Sequence, residues 1–250
     1  MPLLSRILAF LLLPQLAGAT DWRTASRDSM GLSPAPQSHP EAIVQVFGAR
    51  TYGKRGLLAV HTWIATKEKN ATEYTTFEVI GWRTRFGGKA LYIKNDIPDR
   101  RWFGADAELI DEIVGKDAEQ AIVKIKKLGA EYPHADEYRV WPGPNSNTFV
   151  SWVIRNVPEL RVELPPHAIG RDYLVGQSLV GLSESGSGLQ FSVFGLLGLT
   201  LGLHDGIEFN VLGLSFGLDF TRPALKLPMI GRIGFKEKTA LAVESVSHNG

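Results

Sequence analysis

Cysteine is missing from all 250 residues of the chain. Its absence excludes disulfides, thiolate metal sites, a cysteine nucleophile and a lipid-modified cysteine. Net charge is nearly missing too, with 27 Lys plus Arg against 26 Asp plus Glu. A nucleic-acid binder needs a basic face, so no nucleic-acid partner is expected. No phosphate-binding lysine follows the glycines of GLLGLTLG, so no nucleotide cofactor is expected. His134, Asp136 and Glu137 cluster as HADE without the two-histidine spacing of a zinc helix, and read as a solvated turn rather than a metal site. What is present is a globular composition: 44% apolar and 21% charged residues, enough for a packed core.

Residues 1–19 have the pattern of a secretory signal peptide. Arg6 is the basic start, Ile7 to Leu13 the apolar run, and Ala17-Gly18-Ala19 the small-residue cleavage site. Pro14 and Gln15 interrupt the run before it reaches the roughly 20 apolar residues of a membrane helix. The expected location is the periplasm or cell envelope after cleavage, the alternative being anchorage through an uncleaved segment. Losing Arg6 leaves a neutral chain.

Residues 20–40, rich in Ser and Pro, read as a flexible linker. Residues 41–175 read as an α+β domain, 176–236 as a glycine-rich β-hairpin region and 237–250 as a tail. Ile43–Phe47 alternates like a strand, and Gly48–Gly56 is a basic, glycine-punctuated loop. Leu57–Thr66 and Tyr74–Trp82 form an expected hairpin, with Ala90–Ile93 as a short third strand. Asp106–Val114 reads as a short helix. Asp117 opens a longer one to about Tyr132, with Asp117 and Gln120 spaced as a capping box. Ala118, Ala121, Ile122, Ile125 and Leu128 fall on one face, with Lys124, Lys126 and Lys127 mostly elsewhere.

The last third differs in kind. Ser185 to Leu203 carries no formal charge over 19 residues, a length that invites a transmembrane helix. Its apolar residues instead alternate from Leu189 to Leu203, the period of a strand. Asp205-Gly206 is a turn signal, and Ile207–Phe220 returns with its phase reset near Gly213. A long hairpin is expected, able to contact a membrane surface or a protein through residues 189–220.

The chain is organised around Tyr138–Pro158, where an aromatic segment meets a Pro-Gly-Pro turn, a run of small polar residues and an apolar helix from about Thr148 to Asn156. At HTWIA, EVIGW, WPGPNSNTF and the glycine-rich hairpin, the sequence resembles an uncharacterised bacterial family, domain-of-unknown-function family 3750. The order of elements also resembles, more distantly, circularly permuted papain-like proteins of the NlpC type. That resemblance places a catalytic histidine at His61, its orienter at Glu78, and the nucleophile position at Asn147 or neighbouring Ser146, where the thiol is gone. It implies an α+β fold with a small antiparallel sheet packed on helices.

Each candidate also has a structural reading. His61 can be a buried histidine satisfied by a carboxylate, and Glu78 can face solvent or partner His61. Ser146 or Asn147 can cap the helix. Thr148 can act as a nucleophile only with a base in reach. Three functions stay open. One is a thiol-less pseudoenzyme binding a peptide, amide or lipid-derived ligand near His61, Glu78 and Asn147. Another is an active hydrolase or acyltransferase using Ser146 or Thr148 with His61. The third is a structural envelope protein whose hairpin contacts a membrane or partner.

Overall fold

The computed structural model describes residues 21–176 and 178–235. The expected signal peptide and C-terminal tail lie outside the described residues. The fold is α+β, with two antiparallel sheets and two main helices.

The first sheet has the order β4-β3-β2-β1-β5. Its strands are β1 (Ile43–Arg50), β2 (Val60–Lys67), β3 (Thr75–Val79), β4 (Leu91–Asn95) and β5 (Ala107–Val114). The helices are α1 (Lys116–Glu131) and α2 (Ser146–Asn156). Successive side chains of a strand point to opposite faces, and here both faces are covered. Val44, Val46, Val60, Ile64, Phe77 and Val79 pack against Ala121, Ile122 and Ile125 of α1 and Phe149, Val150 and Val153 of α2. The opposite face carries Phe47, Trp63, Ala65 and Trp102.

That second face is covered by the segment expected to be a flexible linker, which is docked instead. Asp99 accepts from the Ser29 hydroxyl at 2.8 Å and from the N–H groups of Leu32 and Ser33 at 2.6 and 3.2 Å. Tyr74 donates its hydroxyl to the Pro34 carbonyl at 3.0 Å, and Met30 packs on the aromatic cluster. Low apolar periodicity concealed an arm held mainly by hydrogen bonds, of which Asp99 accepts three.

Asp106–Val114 is not a helix. It is β5, paired with β1 from Ala49↔Ala107 to Ile43↔Val114, with a register shift at Val46/Phe47. β1 is buried almost throughout, so its backbone donors and acceptors on that side need a partner strand. This requirement, with β-branched Ile110, Ile113 and Val114, outweighs the helix propensity of Ala, Glu and Leu. The expected capping box of α1 is also absent: the helix starts at Lys116 behind Gly115, which has φ 77° and gives no side-chain cap. Asp117 lies within the first turn.

Burial of Asp111 in β5 raises its carboxyl from the ordinary 3.8 to about 6. The folded state therefore holds this proton more tightly than the unfolded chain. Stability is highest below the unfolded value and falls as pH rises through the folded one. Two pH units correspond to about 3 kcal/mol at most. Asp111→Asn is expected to stabilise the protein by about 1–3 kcal/mol at neutral pH and to flatten this decline between about pH 4 and 6. Urea titrations at both ends of that range check it, and an unchanged slope would contradict it.

The glycine-rich region is a seven-stranded meander rather than one long hairpin, with the order β12-β11-β10-β9-β8-β7-β6. Its strands are β6 (Val180–Leu182), β7 (Gly188–Val193), β8 (Leu197–Gly202), β9 (Gly206–Val211), β10 (Leu214–Asp219), β11 (Ala224–Leu227) and β12 (Gly231–Gly234). Strand structure and the turn at Asp205-Gly206 are as expected. The single strand read across Leu189–Leu203 is two, because Val193 pairs with Leu197 around a three-residue turn. An odd turn returns the chain on the same phase, so the alternation runs through it unbroken. Val211 pairs with Leu214 around two residues, which flips the phase. Leu212 and Gly213 both have positive φ, at 54° and 79°, as a type I′ turn requires. No helix among the described residues is long and apolar enough to cross a membrane.

Candidate functional site

The polar loop before α2 is a clamp between layers. Asn145 is the N-cap, its Oδ1 accepting from the N–H groups of Asn147 and Thr148 at 3.0 and 3.2 Å. Thr148 Oγ1 accepts from Asn145 N at 3.1 Å and donates to the Gly170 carbonyl at 2.8 Å. Asn147 Oδ1 accepts from the Thr62 hydroxyl at 2.9 Å, and its Nδ2 donates to the Val60 and Ile169 carbonyls at 3.0 and 2.8 Å. Ser146, Asn147 and Thr148 are all buried. The cap role assigned to Ser146 or Asn147 thus belongs to their neighbour Asn145. Trp141–Pro142 and Gly143–Pro144, just upstream, are both cis.

His61 lies on the other face of the same sheet. Thr62 points toward α2, so His61, one residue back, points away from it. His61 is 5% exposed and stacks on Trp102 with ring centroids 3.7 Å apart. Its Nε2 is 3.5 Å from Glu78 Oε2, the long limit of a hydrogen bond, and neither atom has another hydrogen-bond partner among the described residues. Glu78 Oε1 accepts from Arg100 at 2.5 Å, and Arg100 also pairs with Asp96 at 2.9 Å. Burial holds the His61 pKa below its ordinary value despite Glu78. Burial disfavours the Glu78 charge, but His61 and Arg100 outweigh it and keep the carboxyl below its usual range. The pair His61–Glu78 is formed. The shared site of His61 with Ser146, Asn147 or Thr148 is not, because the sheet separates them. His61 therefore cannot serve any of the three as a general base in this arrangement.

A third polar cluster lies between the inward face of the second sheet and the segment 163–184 that leads into it. Arg171 donates to Glu163 at 2.9 Å and to Glu208, with Glu184 3.4 Å away. Lys226 donates to Glu163, and to Glu208 and the Asp205 carbonyl at 2.7 Å each. Burial opposes every one of these charges. A hydrogen bond shared with Glu208, then the charges of Arg171 and Lys226, nevertheless pull Glu163 down to about 2, while burial keeps Glu184 and Glu208 raised.

These groups face inward from a sheet whose other face is apolar. Every outward side chain on β6 to β12 is aliphatic or phenylalanine. The cross-strand pairs Leu189↔Leu201, Leu199↔Phe209, Phe209↔Phe216, Leu218↔Leu225 and Leu225↔Ile233 run across it. Inward positions carry Gln190, Ser192, Thr200, Glu208, Asn210, Ser215, Asp219 and Lys226, all buried, interspersed with glycine. The apolar surface continues around the turns at both ends, with Leu203 71% and Phe220 63% exposed at one and Phe194 52% and Leu212 58% at the other. Trp141, 50% exposed, donates its indole N–H to the Leu212 carbonyl at 2.8 Å. Arg50 reaches the Met229 carbonyl at 2.8 Å, bringing the basic loop with Lys54 and Arg55 to the same end. Lys54, Arg55 and Arg139 have no ion pair among the described residues.

A family model described as protein of unknown function (DUF3750) matches residues 41–173, more than half of the chain. The chain belongs to this family. No curated protein and no solved structure matches it. The matched span covers the first sheet, both helices, the polar clamp and Arg171.

Several residues that matter here carry no signal of their own in the sequence. Arg100 and Trp102 complete the His61 face from a loop distant in the chain, and Arg171 lies in a stretch without periodicity. Gly170 is legible only in three dimensions: it has φ 103°, and a Cβ there would come within 2.4 Å of Asn145 Nδ2. Gly170→Ala is expected to displace the Asn145 cap and lower stability by about 2–3 kcal/mol, from left-handed strain plus the lost cap. Thermal unfolding checks this, and a change within about 0.5 kcal/mol would contradict it.

Proposed function

We propose that this is an extracytoplasmic envelope protein that seats the outward face of its seven-stranded sheet in the acyl layer of one membrane leaflet. The observation that carries the reading is the reversed polarity of that sheet, with charged groups buried inside and only apolar side chains outside. Soluble sheets place these classes the other way round, whereas sheets in contact with lipid alternate apolar-out and polar-in. Seven strands at about 4.8 Å spacing, the longest about 20 Å and the shortest about half that, present roughly 500–600 Å² of sheet plane, at the upper end of apolar patches on monomers.

Strand length argues for one leaflet. The longest strands of this sheet have six residues, against roughly 9–11 in a strand that crosses a bilayer. The exposed turn residues argue for lipid over a second copy. Two sheets stacked face to face would leave Phe194 and Leu212 uncovered, whereas a leaflet covers both face and tips. Exposed Trp141 and the basic residues Lys54, Arg55 and Arg139 at that end suit the headgroup layer, where tryptophan and basic side chains concentrate. The signal-peptide pattern supports the compartment.

The cysteine-free chain makes the test direct. A single Phe209→Cys in the full chain, labelled with an environment-sensitive fluorophore, should shift to the blue on adding phosphatidylcholine vesicles. The same label at Lys127→Cys on α1 should not respond. Equal responses at both sites, or none at Phe209→Cys, would overturn the reading. A shift that rises with protein concentration without vesicles would favour a second copy.

A further inference from the structure

Resting on the leaflet reading, we propose that the cleft between the Pro-Gly-Pro turn and the β7–β8 turn holds a lipid phosphoethanolamine headgroup. The cleft encloses about 300 Å³ and is lined by His134, Glu137, Arg139, Tyr173 and Phe194, with Pro142 and Gly143 forming one wall. It joins the two surfaces an amphiphile needs. Phe194 is the exposed apolar tip of the sheet, and the opposite wall is charged.

The charged wall has a definite polarity. The backbone N–H of Arg139 donates to the Pro144 carbonyl at 2.8 Å, which fixes the main chain. Its exposed guanidinium has no ion pair among the described residues, so its planar fork is available to two phosphate oxygens. Glu137, two residues earlier and half-exposed, lies 3.4 Å from His134 Nδ1 and supplies the negative end. A bare phosphate would meet repulsion from that carboxylate. A headgroup bearing both a phosphate and a primary ammonium satisfies both ends, with Arg139 taking the phosphodiester and Glu137 the ammonium. A trimethylammonium headgroup has no N–H to donate and would keep only its charge attraction to Glu137, without the hydrogen bond.

The test uses the full chain and soluble glycerophosphoethanolamine, followed by isothermal titration, so it does not depend on vesicle binding. Wild type should bind it. Arg139→Gln and Glu137→Gln should each weaken binding at least tenfold, about 1.4 kcal/mol, and glycerophosphocholine should bind wild type more weakly than glycerophosphoethanolamine does. Vesicles containing phosphatidylethanolamine should then recruit wild type better than pure phosphatidylcholine, with the preference lost in Glu137→Gln. No binding of glycerophosphoethanolamine by wild type, or binding unchanged in both variants, would overturn the headgroup site and leave the leaflet reading standing. Inorganic phosphate binding as well as glycerophosphoethanolamine, with only Arg139→Gln affected, would mark a simple anion site and also overturn it. A silent Phe209→Cys label with intact headgroup binding would remove the leaflet reading alone.

Discussion

Arg171→Ala is expected to destabilise the protein by about 3–5 kcal/mol, lowering the melting temperature by roughly 6–20 °C. Arg171 is 2% exposed and is the cation facing Glu163, Glu184 and Glu208 together. Removing it leaves three buried carboxylates with Lys226 as their main partner, which pairs only with Glu163 and Glu208 among them. Most domains have only about 5–15 kcal/mol in total, so the loss is a large share. Burial already favours the protonated forms of Glu184 and Glu208, so the penalty comes from the lost counter-charge of Glu163 and the buried hydrogen bonds left unmade, rather than from the net strength of the pairs. Neutralising the partners should therefore relieve it: Arg171→Met with Glu163→Gln and Glu208→Gln should be more stable than Arg171→Met alone. Chemical denaturation of the four proteins measures this. An Arg171→Ala variant within about 1 kcal/mol of wild type would show that the cluster is solvated or already neutral.

Replacing Phe209 and Phe216 with threonine is expected to reduce partitioning into phosphatidylcholine vesicles at least about tenfold. The two rings are directly paired on neighbouring strands, and both are exposed. Fully burying an exposed ring contributes about 1.5–3 kcal/mol, and these two are already about half buried, so seating the pair in an apolar layer contributes about 1.5–3 kcal/mol together. Threonine retains strand propensity and forms acceptable cross-strand pairs, so folding should change by no more than about 1 kcal/mol. Flotation of the full chain beside unfolding curves separates the two effects. Undiminished flotation of a folded variant would show that another part of the chain carries the attachment.

The parts of the fold legible in the sequence are those governed by local period. α1 shows its buried face through Ala118, Ala121, Ile122 and Ile125, and the β2–β3 hairpin shows two runs rich in β-branched and aromatic residues around a polar turn. β5 was hidden because its identity as a strand depends on β1 needing a partner, a tertiary requirement. The docked arm was hidden because it is held through Asp99 by polar contacts that leave no periodic trace. At the site, the His61–Glu78 pair was legible as neighbours on adjacent strands. The proposed meeting with Asn147 failed on a local fact: it is Thr62, one pleat over, that faces α2 and bonds Asn147 at 2.9 Å. The reversed polarity of the second sheet was half visible. Alternation identifies strands, but it does not say which of the two alternating sets faces the interior. That choice is made by Arg171 and Glu163, which draw the polar set inward from outside the sheet.

The turns of the second sheet carry a rule of parity. Those between β7 and β8 and between β8 and β9 have three residues, and the one between β9 and β10 has two. Adding or removing one residue at any of them would exchange the inner and outer sets on every following strand, setting Glu208 or Lys226 outside and phenylalanine against Arg171. A change of two residues would preserve both sets. Length variation at these tips is therefore confined to even steps, and a single-residue insertion there should be as damaging as a frameshift is to a reading frame.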